Sequence, residues 1–328
     1  MTKRQLAAKS ESWPIAGSFR ISRGVKTAAE VVVVEITEDG VTGRGECVPY
    51  ARYEESIRSV LGQISSVRDF IADGLTRDGL LTVMPSGAAR NAVDCALWDL
   101  EAKLSGKTIA EIGGIPALGP TITAYTLSLD SPENMAIAAK KHSNRPLFKL
   151  KLAGEGDLER VAAVRNAAPR TRLIVDANEA WTADMMREYC PKMADLGVEL
   201  IEQPLPAGED SVLSDIERPV PICADESAHD TATLDDVVEL YDYINIKLDK
   251  TGGLTEALLL AEAAREFGLG VMVGCMLGTS LGMAPAMYLA SYARFVDLDG
   301  PLLLEKDREH GIQFDGNVMY PPSRKLWG

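Results

Sequence analysis

Histidine is scarce in this chain: 328 residues carry only His142, His229 and His310. Cysteine is thin as well. Cys47, Cys95, Cys190, Cys223 and Cys275 are scattered, odd in number and never arranged as C-x-x-C, which argues for a reducing compartment and against a zinc site. Basic residues are outnumbered: 34 Lys and Arg stand against 48 Asp and Glu, for a net charge of −14, and no basic cluster reverses the balance. Nucleic acid and anionic membranes are therefore not expected as partners. No apolar run approaches the roughly 18 residues that span a bilayer, and the opening MTKRQLAAKSESWP lacks the apolar centre of a signal peptide. These features lead us to expect a cytoplasmic protein. Also missing are a G-x-S-x-G nucleophile elbow, a G-x-G-x-x-G dinucleotide loop and any low-complexity segment.

What is present is enough apolar residue, 46%, for one large core or two. The first third reads as α+β. Strands are expected over 15–23, 29–37 (AEVVVVEIT) and 41–49, with a turn at Asp39-Gly40. A helix is expected to start near Ser86 and stop at Gly106, with Val93, Leu97, Leu100 and Leu104 at helical spacing. From about residue 120 short strands alternate with amphipathic stretches, such as one where Leu260, Ala263, Ala264 and Phe267 share a face. The units recur about every 25 residues, the rhythm of a (β/α) barrel. The expected strands are 121–129, 146–153, 172–179, 198–205, 220–227, 243–250, 270–277 and 294–301. An open doubly wound sheet competes, but the phosphate loop it usually carries is absent. The C-terminal stretch from about 303 has hairpin character and is expected to pack back on the N-terminal section.

Buried parallel strands should read as apolar runs; here six of the eight carry charge at or near their ends, where barrel active sites sit. Asp176, Glu202 and Asp225 fall on three successive strands. Like charges that close raise one another's pKa values unless a cation intervenes, and an oxygen-only set suits Mg²⁺, with Mn²⁺ as alternative and zinc disfavoured. Lys149 and Lys151 share a face by strand period; an exposed edge strand would show the same alternation, but inside a barrel both point inward. Two ammonium groups that close favour neutrality of one, which makes a base. Lys247, on strand six, would stand across the mouth, so a proton could leave one face of a carbon and return to the other. Asp297 and Asp299 again share a face and call for a substrate cation; the competing reading is a salt bridge to Lys250. Cys275 has no histidine beside it and reads as pocket lining rather than nucleophile.

The ordered set Lys149-Leu-Lys151, Asp176-Ala-Asn178, Glu202-Gln-Pro204, Ala224-Asp225-Glu226-Ser227 and Asn245-Ile-Lys247 resembles the muconate-lactonizing subgroup of the enolase superfamily over the whole chain. Gly43-Arg-Gly-Glu46 and the SGAARNAVDCALWDLEAK helix are similar to that family's capping domain. Asp297-Leu-Asp299-Gly-Pro resembles the dipeptide epimerases, and VGCML and INIKLDKTGGLTEAL resemble those acting on L-Ala-D/L-Glu in murein peptide metabolism. The resemblance implies an α/β fold: a (β/α)7β-type modified TIM barrel over 119–302 and an α+β capping domain over 1–118, completed by 303–328. It implies one Mg²⁺ per subunit on Asp176, Glu202 and Asp225, acid/base lysines Lys151 and Lys247, Lys149 tuning its neighbour, and Asn178 and Glu226 supporting the metal shell. The reaction would pass through an enediolate at the α-carbon of the dipeptide's C-terminal residue. Asp297 and Asp299 would bind the α-ammonium, and Thr126, Cys275 and Met276 would line the substrate pocket. A basic residue on the N-terminal loop would hold the glutamate side chain; of Arg20, Arg23, Lys26 and Arg52 we favour Arg23. A homo-oligomer is expected. Muconate cycloisomerisation, o-succinylbenzoate synthesis and N-acylamino-acid racemisation are the alternatives on this scaffold. A sugar-acid dehydratase would want a histidine on strand seven, and a purely binding barrel would not need the complete acid-metal-base set.

Overall fold

A computed structural model describes residues 3–328, so residues 1 and 2 of the expected capping segment lie outside it. The chain opens with an antiparallel meander, β1 (Gln5–Ile21), β2 (Gly24–Glu38) and β3 (Val41–Cys47). Asp39 and Gly40 both take positive φ, 50° and 80°, as a two-residue hairpin turn demands. The four valines of β2 are explained by strand alternation. Val31 and Val33 face the barrel core, whereas Val32, Val34 and Ile36 face a separate core under the capping helices. β1 begins ten residues earlier than expected. Its pairing with β2 runs from Gln5, with an irregularity between Pro14 and Phe19, and its mostly exposed residues gave little apolar alternation to read.

The helix Ala88–Ser105 ends at Gly106 in the left-handed region, as expected. It is buried on nearly every side because it is wedged between β3 and the barrel. A Cβ on Gly43 would stand 2.2 Å from Ala96 O, and one on Gly45 2.1 Å from Ala92 O. The Gly-Arg-Gly segment therefore exists to let strand and helix backbones touch. Of the four residues expected on one helical face, Leu104 is the exception, being exposed.

A short β4 (Thr121–Ile122) leads into eight parallel strands in sequence order: β5 (Tyr125–Leu127), β6 (Leu147–Lys151), β7 (Arg172–Asp176), β8 (Val198–Glu202), β9 (Ile222–Ala224), β10 (Tyr243–Ile246), β11 (Gly270–Val273) and β12 (Phe295–Val296). The sheet curls until its edges meet, where Ala124 N donates to Val296 O at 2.7 Å. Ala124, Leu147, Ile174, Leu200, Cys223, Met272 and Phe295, with Tyr243, fill the lower interior, a packed layer of the kind barrels carry. The helix Leu254–Glu266 buries Leu254, Ala257, Leu260, Ala261 and Ala264, so the buried face is shifted from the one expected and Phe267 stays half exposed.

The C-terminal stretch packs on the N-terminal section at both its ends, but the hairpin between them does not. β13 (Phe314–Asp315) pairs with β14 (Val318–Met319), and β14 pairs with β4, not with the meander. Asn317 Nδ2 donates to Thr123 O and Leu147 O, sealing the N-terminal end of the barrel. The rest of the stretch does return to the N-terminal section: Leu304 bridges Ile15, Glu305 N donates to Pro14 O, Arg308 pairs with Glu11 and Glu46, Trp327 Nε1 donates to Cys95 O and Gly328 N to Asp99 Oδ1.

Candidate active site

Two residues above the apolar layer, strand alternation points a second ring of side chains inward. From β5 to β12 these are Thr126, Lys149, Asp176, Glu202, Asp225, Asn245, Gly274 and Asp297. A polar ring at this level puts charge where packing alone would place Val or Ile. Gly274 is the one residue without a side chain, and Asn245 fills its space: a Cβ there would lie 2.6 Å from Asn245 Oδ1. The next level up carries Lys151, Asn178, Lys247, Met276 and Asp299.

The carboxylates and lysines of these two levels interlock. Lys151 Nζ lies 2.5 Å from Asp176 Oδ2. Lys149 Nζ, fully buried, lies 2.6 Å from Glu202 Oε2, 2.8 Å from Asp297 Oδ2 and 3.3 Å from Asp176 Oδ2. Lys247 Nζ lies 2.5 Å from Asp225 Oδ2, and Lys250 Nζ 2.7 Å from Asp225 Oδ1. Burial opposes the charge on Lys149, yet Asp297, Glu202 and Asp176 outweigh it and hold the ammonium well above the ordinary lysine range. Burial likewise opposes Lys247, and Asp225 and Glu202 push it up. The expected mutual neutralisation of the paired lysines therefore does not occur at Lys149: three carboxylates sit closer to it than a like charge could offset. Burial, reinforced by Asp176, pushes Glu202 up to about 7. Burial works against the Asp225 charge too, but Lys247 and Lys250 bring it well below the carboxylate range.

Among the described residues four buried acceptors receive no hydrogen bond: Glu202 Oε2, Glu226 Oε2, Asn178 Oδ1 and Asn245 Oδ1. The Lys149 contact to Glu202 Oε2 is thus an ion pair outside hydrogen-bond geometry. Spare buried oxygen lone pairs, carboxylates on three adjacent strands and the absence of imidazole at their ends fit a hard divalent cation. Among the described residues no three acids converge as a ready-made cluster; each of the three carboxylates faces a lysine instead.

Above this floor opens a cavity of about 660 Å³. Lys151 and Lys247 line it from strands four places apart in an eight-strand ring, hence from opposite sides. Asp225, Asn178, Glu226, Thr126, Cys275, Met276, Asp297 and Asp299 line it too, whereas Lys149, Asp176 and Glu202 lie beneath. Asp299 Oδ2 accepts from Thr126 N at 2.6 Å, and burial, with Asp297 adding to it, pushes Asp299 up to about 7. The expected alternative partner of this acid pair is corrected: Lys250 is committed to Asp225 and to the carbonyl of Ala228, and it is Lys149 that pairs with Asp297. Burial lifts the Cys275 thiol far above its usual range, and Asp297 and Asp299 add to the effect, so it offers no thiolate.

The roof comes from the capping domain. Arg23, in the turn between β1 and β2, donates to Glu226 at 2.6 Å, Glu179 at 3.0 Å, Tyr50 at 3.0 Å and Asn178 O at 3.1 Å. Lys26 also lines the cavity, over the Tyr50 ring, with its ammonium 5.4 Å from the ring centroid. Arg52 pairs with Glu179, and Arg20 lies lower on β1, its backbone bonded to Leu129 and to the Ser128 side chain. Sequence reasoning quoted Asn245 in a motif but gave it no role; its Nδ2 holds Glu202 Oε1 at 2.8 Å, and its place two residues before Lys247 already put it on the inward face. Sequence reasoning passed over Tyr50, Tyr53 and Glu179, which carry no strand periodicity.

The family pattern described as mandelate racemase / muconate lactonizing enzyme, N-terminal domain, matches residues 3–114, and that described as enolase C-terminal domain-like matches residues 135–320. The chain belongs to the enolase superfamily. It is 47% identical over 313 residues to an L-Ala-D/L-Glu epimerase of Escherichia coli, covering 95% of this chain and 98% of that one. It is 46% identical over 302 residues to an N-acetyl-D-glutamate racemase of Pseudoalteromonas, covering 91% and 95%. A crystal structure of an enolase family member from Agrobacterium tumefaciens with homology to dipeptide epimerases, with bound sodium and L-Ala-L-Glu, superposes with a TM-score of 0.97 at 54% identity over 99% of this chain and 100% of that one.

Proposed function

We propose that this enolase-superfamily chain epimerises dipeptides, L-Ala-D/L-Glu foremost, by a Mg²⁺-dependent 1,1-proton transfer at the α-carbon of the C-terminal residue, in the turnover of murein peptides. The observation that carries the reading is the placement of Lys151 and Lys247 on opposite walls of one cavity. A carbon held between two such groups can lose its proton to one and regain a proton from the other on the opposite face. The relatives and the dipeptide-bound neighbour support the same chemistry.

Asp176, Glu202 and Asp225 would hold the Mg²⁺, with Asn178 and Glu226 beside them; bound there, it supplies positive charge to the substrate carboxylate as electron density builds on it. Lys151 and Lys247 must then release Asp176 and Asp225 and turn to the α-carbon, one as ammonium and one as free amine. Lys149 stays charged beneath them and would tune its neighbour Lys151. Asp297 and Asp299 face the α-ammonium, with Thr126 fixing Asp299. Arg23, with Lys26 next to it, would turn from its present partners to meet the side-chain carboxylate from the roof. Five free thiols accord with a cytoplasmic setting. The test is a panel of L,L-dipeptides in D₂O with Mg²⁺: a gain of one mass unit with appearance of the L,D epimer, greatest for L-Ala-L-Glu, is expected. No exchange into any dipeptide would overturn the reading.

A further inference from the structure

We infer that Glu179 is a positioning residue that clamps both capping-domain loops shut over the cavity. Its carboxylate lies just beyond β7, and it accepts four hydrogen bonds from three residues on three separate segments. Arg23 of the β1–β2 turn donates to Oε2 at 3.0 Å. Arg52 of the loop after β3 donates twice, Nε to Oε2 at 2.9 Å and Nη2 to Oε1 at 2.8 Å, a forked pair of the strong kind. Ala207 N, in the loop after β8, donates to Oε1 at 2.9 Å. Both hydrogen bonds of the Arg52 side chain go to this one carboxylate. The backbone is arranged to present it: Asn178 and Glu179 both sit in the left-handed region, φ 46° and 66°, a costly conformation for side-chain-bearing residues, and Glu179 N is fixed on Gln203 O at 2.9 Å.

The two loops that meet at Glu179 supply much of the roof, including Arg23, Lys26, Tyr50 and Tyr53. Their other ties to the barrel include Arg23 to Glu226, Ser22 and Arg23 to Asn178 O, the Arg20 backbone to Leu129 and Ser128, Val48 N to Asp249, and the Tyr53 ring against His229. The loops also touch each other, through Arg23 and Tyr50 at 3.0 Å, but among the described barrel residues Glu179 alone bonds to both. A substrate cannot enter under a roof held this way unless the clamp opens, and a bound one is retained while it is closed. Glu179 touches no reacting atom; it acts through Arg23 and Arg52. This extends the proposed function by naming what controls substrate entry and retention, and it rests on that reading only for where the substrate lies.

The experiment uses Glu179→Gln and Arg52→Gln in the full-length protein, first without substrate. Hydrogen exchange of segments 19–26 and 49–56 is followed by mass spectrometry. In E179Q both segments should exchange about tenfold faster, and in R52Q segment 49–56 alone, with barrel strands unchanged in each. Unchanged exchange of both loops in E179Q, or of segment 49–56 in R52Q, would overturn the clamp whatever the enzyme's substrate. Where E179Q fails to fold, R52Q carries the test by itself. With L-Ala-L-Glu, KM should rise about tenfold in E179Q while kcat stays within about threefold, and Glu179→Asp should recover part of the loss. A fall in kcat at constant KM would instead place Glu179 in the chemistry and overturn the positioning role.

Discussion

Replacing Asp299 with asparagine isolates the charge that the account assigns to the substrate's ammonium. An asparagine oxygen can still accept from Thr126 N, which Asp299 now does at 2.6 Å, so the strand end keeps its anchor. What disappears is one charge-assisted hydrogen bond, worth about 1.5–3 kcal/mol. At about 1.4 kcal/mol per factor of ten, kcat/KM for L-Ala-L-Glu should fall roughly ten- to a hundredfold. Asp297 is the poorer choice for this test, because it also neutralises the buried Lys149 at 2.8 Å. The same reasoning fixes a pH dependence. Burial and Asp297 hold Asp299 up near 7, so the carboxylate that binds the ammonium is lost as pH falls through 7. In the wild type KM should therefore rise from pH 8 to pH 6, and in D299N it should lose this slope. The assay is kcat and KM against pH for L-Ala-L-Glu and N-acetyl-L-Ala-L-Glu. The mutation should penalise the first and spare the second, which has no ammonium. Equal losses on both substrates would refute the ammonium role and favour an N-acyl substrate.

Chelation with EDTA should abolish turnover and Mg²⁺ should restore it. Asp225→Asn should resist rescue by excess Mg²⁺, and it should also lower urea-unfolding stability by about 3–5 kcal/mol, because Lys247 and Lys250 lose their buried counter-charge. Asp94 is a separate pH sensor in the capping helix: burial pushes it up to about 6 while it accepts from Thr255 N and Oγ1. A carboxyl raised in the fold stabilises fully below its unfolded pKa near 4 and loses that contribution as pH climbs through 6; Asp94→Asn should flatten this decline, and unfolding curves of both proteins at pH 4 to 8 will show it. Gly45→Ala forces a Cβ to within 2.1 Å of Ala92 O and should destabilise by about 1–3 kcal/mol or more, measured by thermal melting.

The barrel and its polar floor were legible in the sequence because strand alternation is strict. Lys149 and Lys151, or Asp297 and Asp299, sit two apart on one face of their segments, and once the barrel rhythm is recognised that face points inward. The roof was less legible. Glu179 lies more than a hundred residues from both Arg23 and Arg52, on a turn without periodicity, so only the folded chain brings them together. The pairing of Asp297 with Lys149 rather than Lys250 was missed for a related reason. Lys250 lies in a short helix after β10 that turns its side chain down beneath Asp225, whereas a reading along the strand end had it facing Asp297. The hairpin β13–β14 was misplaced because two-residue strands carry no pattern that names their partner.

The central claim is that two lysines serve one carbon from opposite faces. It is tested most directly by following the α-proton of L-Ala-L-Glu and L-Ala-D-Glu by NMR in D₂O with the Mg²⁺-loaded variants Lys151→Ala and Lys247→Ala. Each variant should lose epimerisation in both directions while still exchanging the α-proton of one epimer, and the two variants should exchange opposite epimers. Exchange retained on the same epimer by both variants, or full epimerisation by either, would contradict the account.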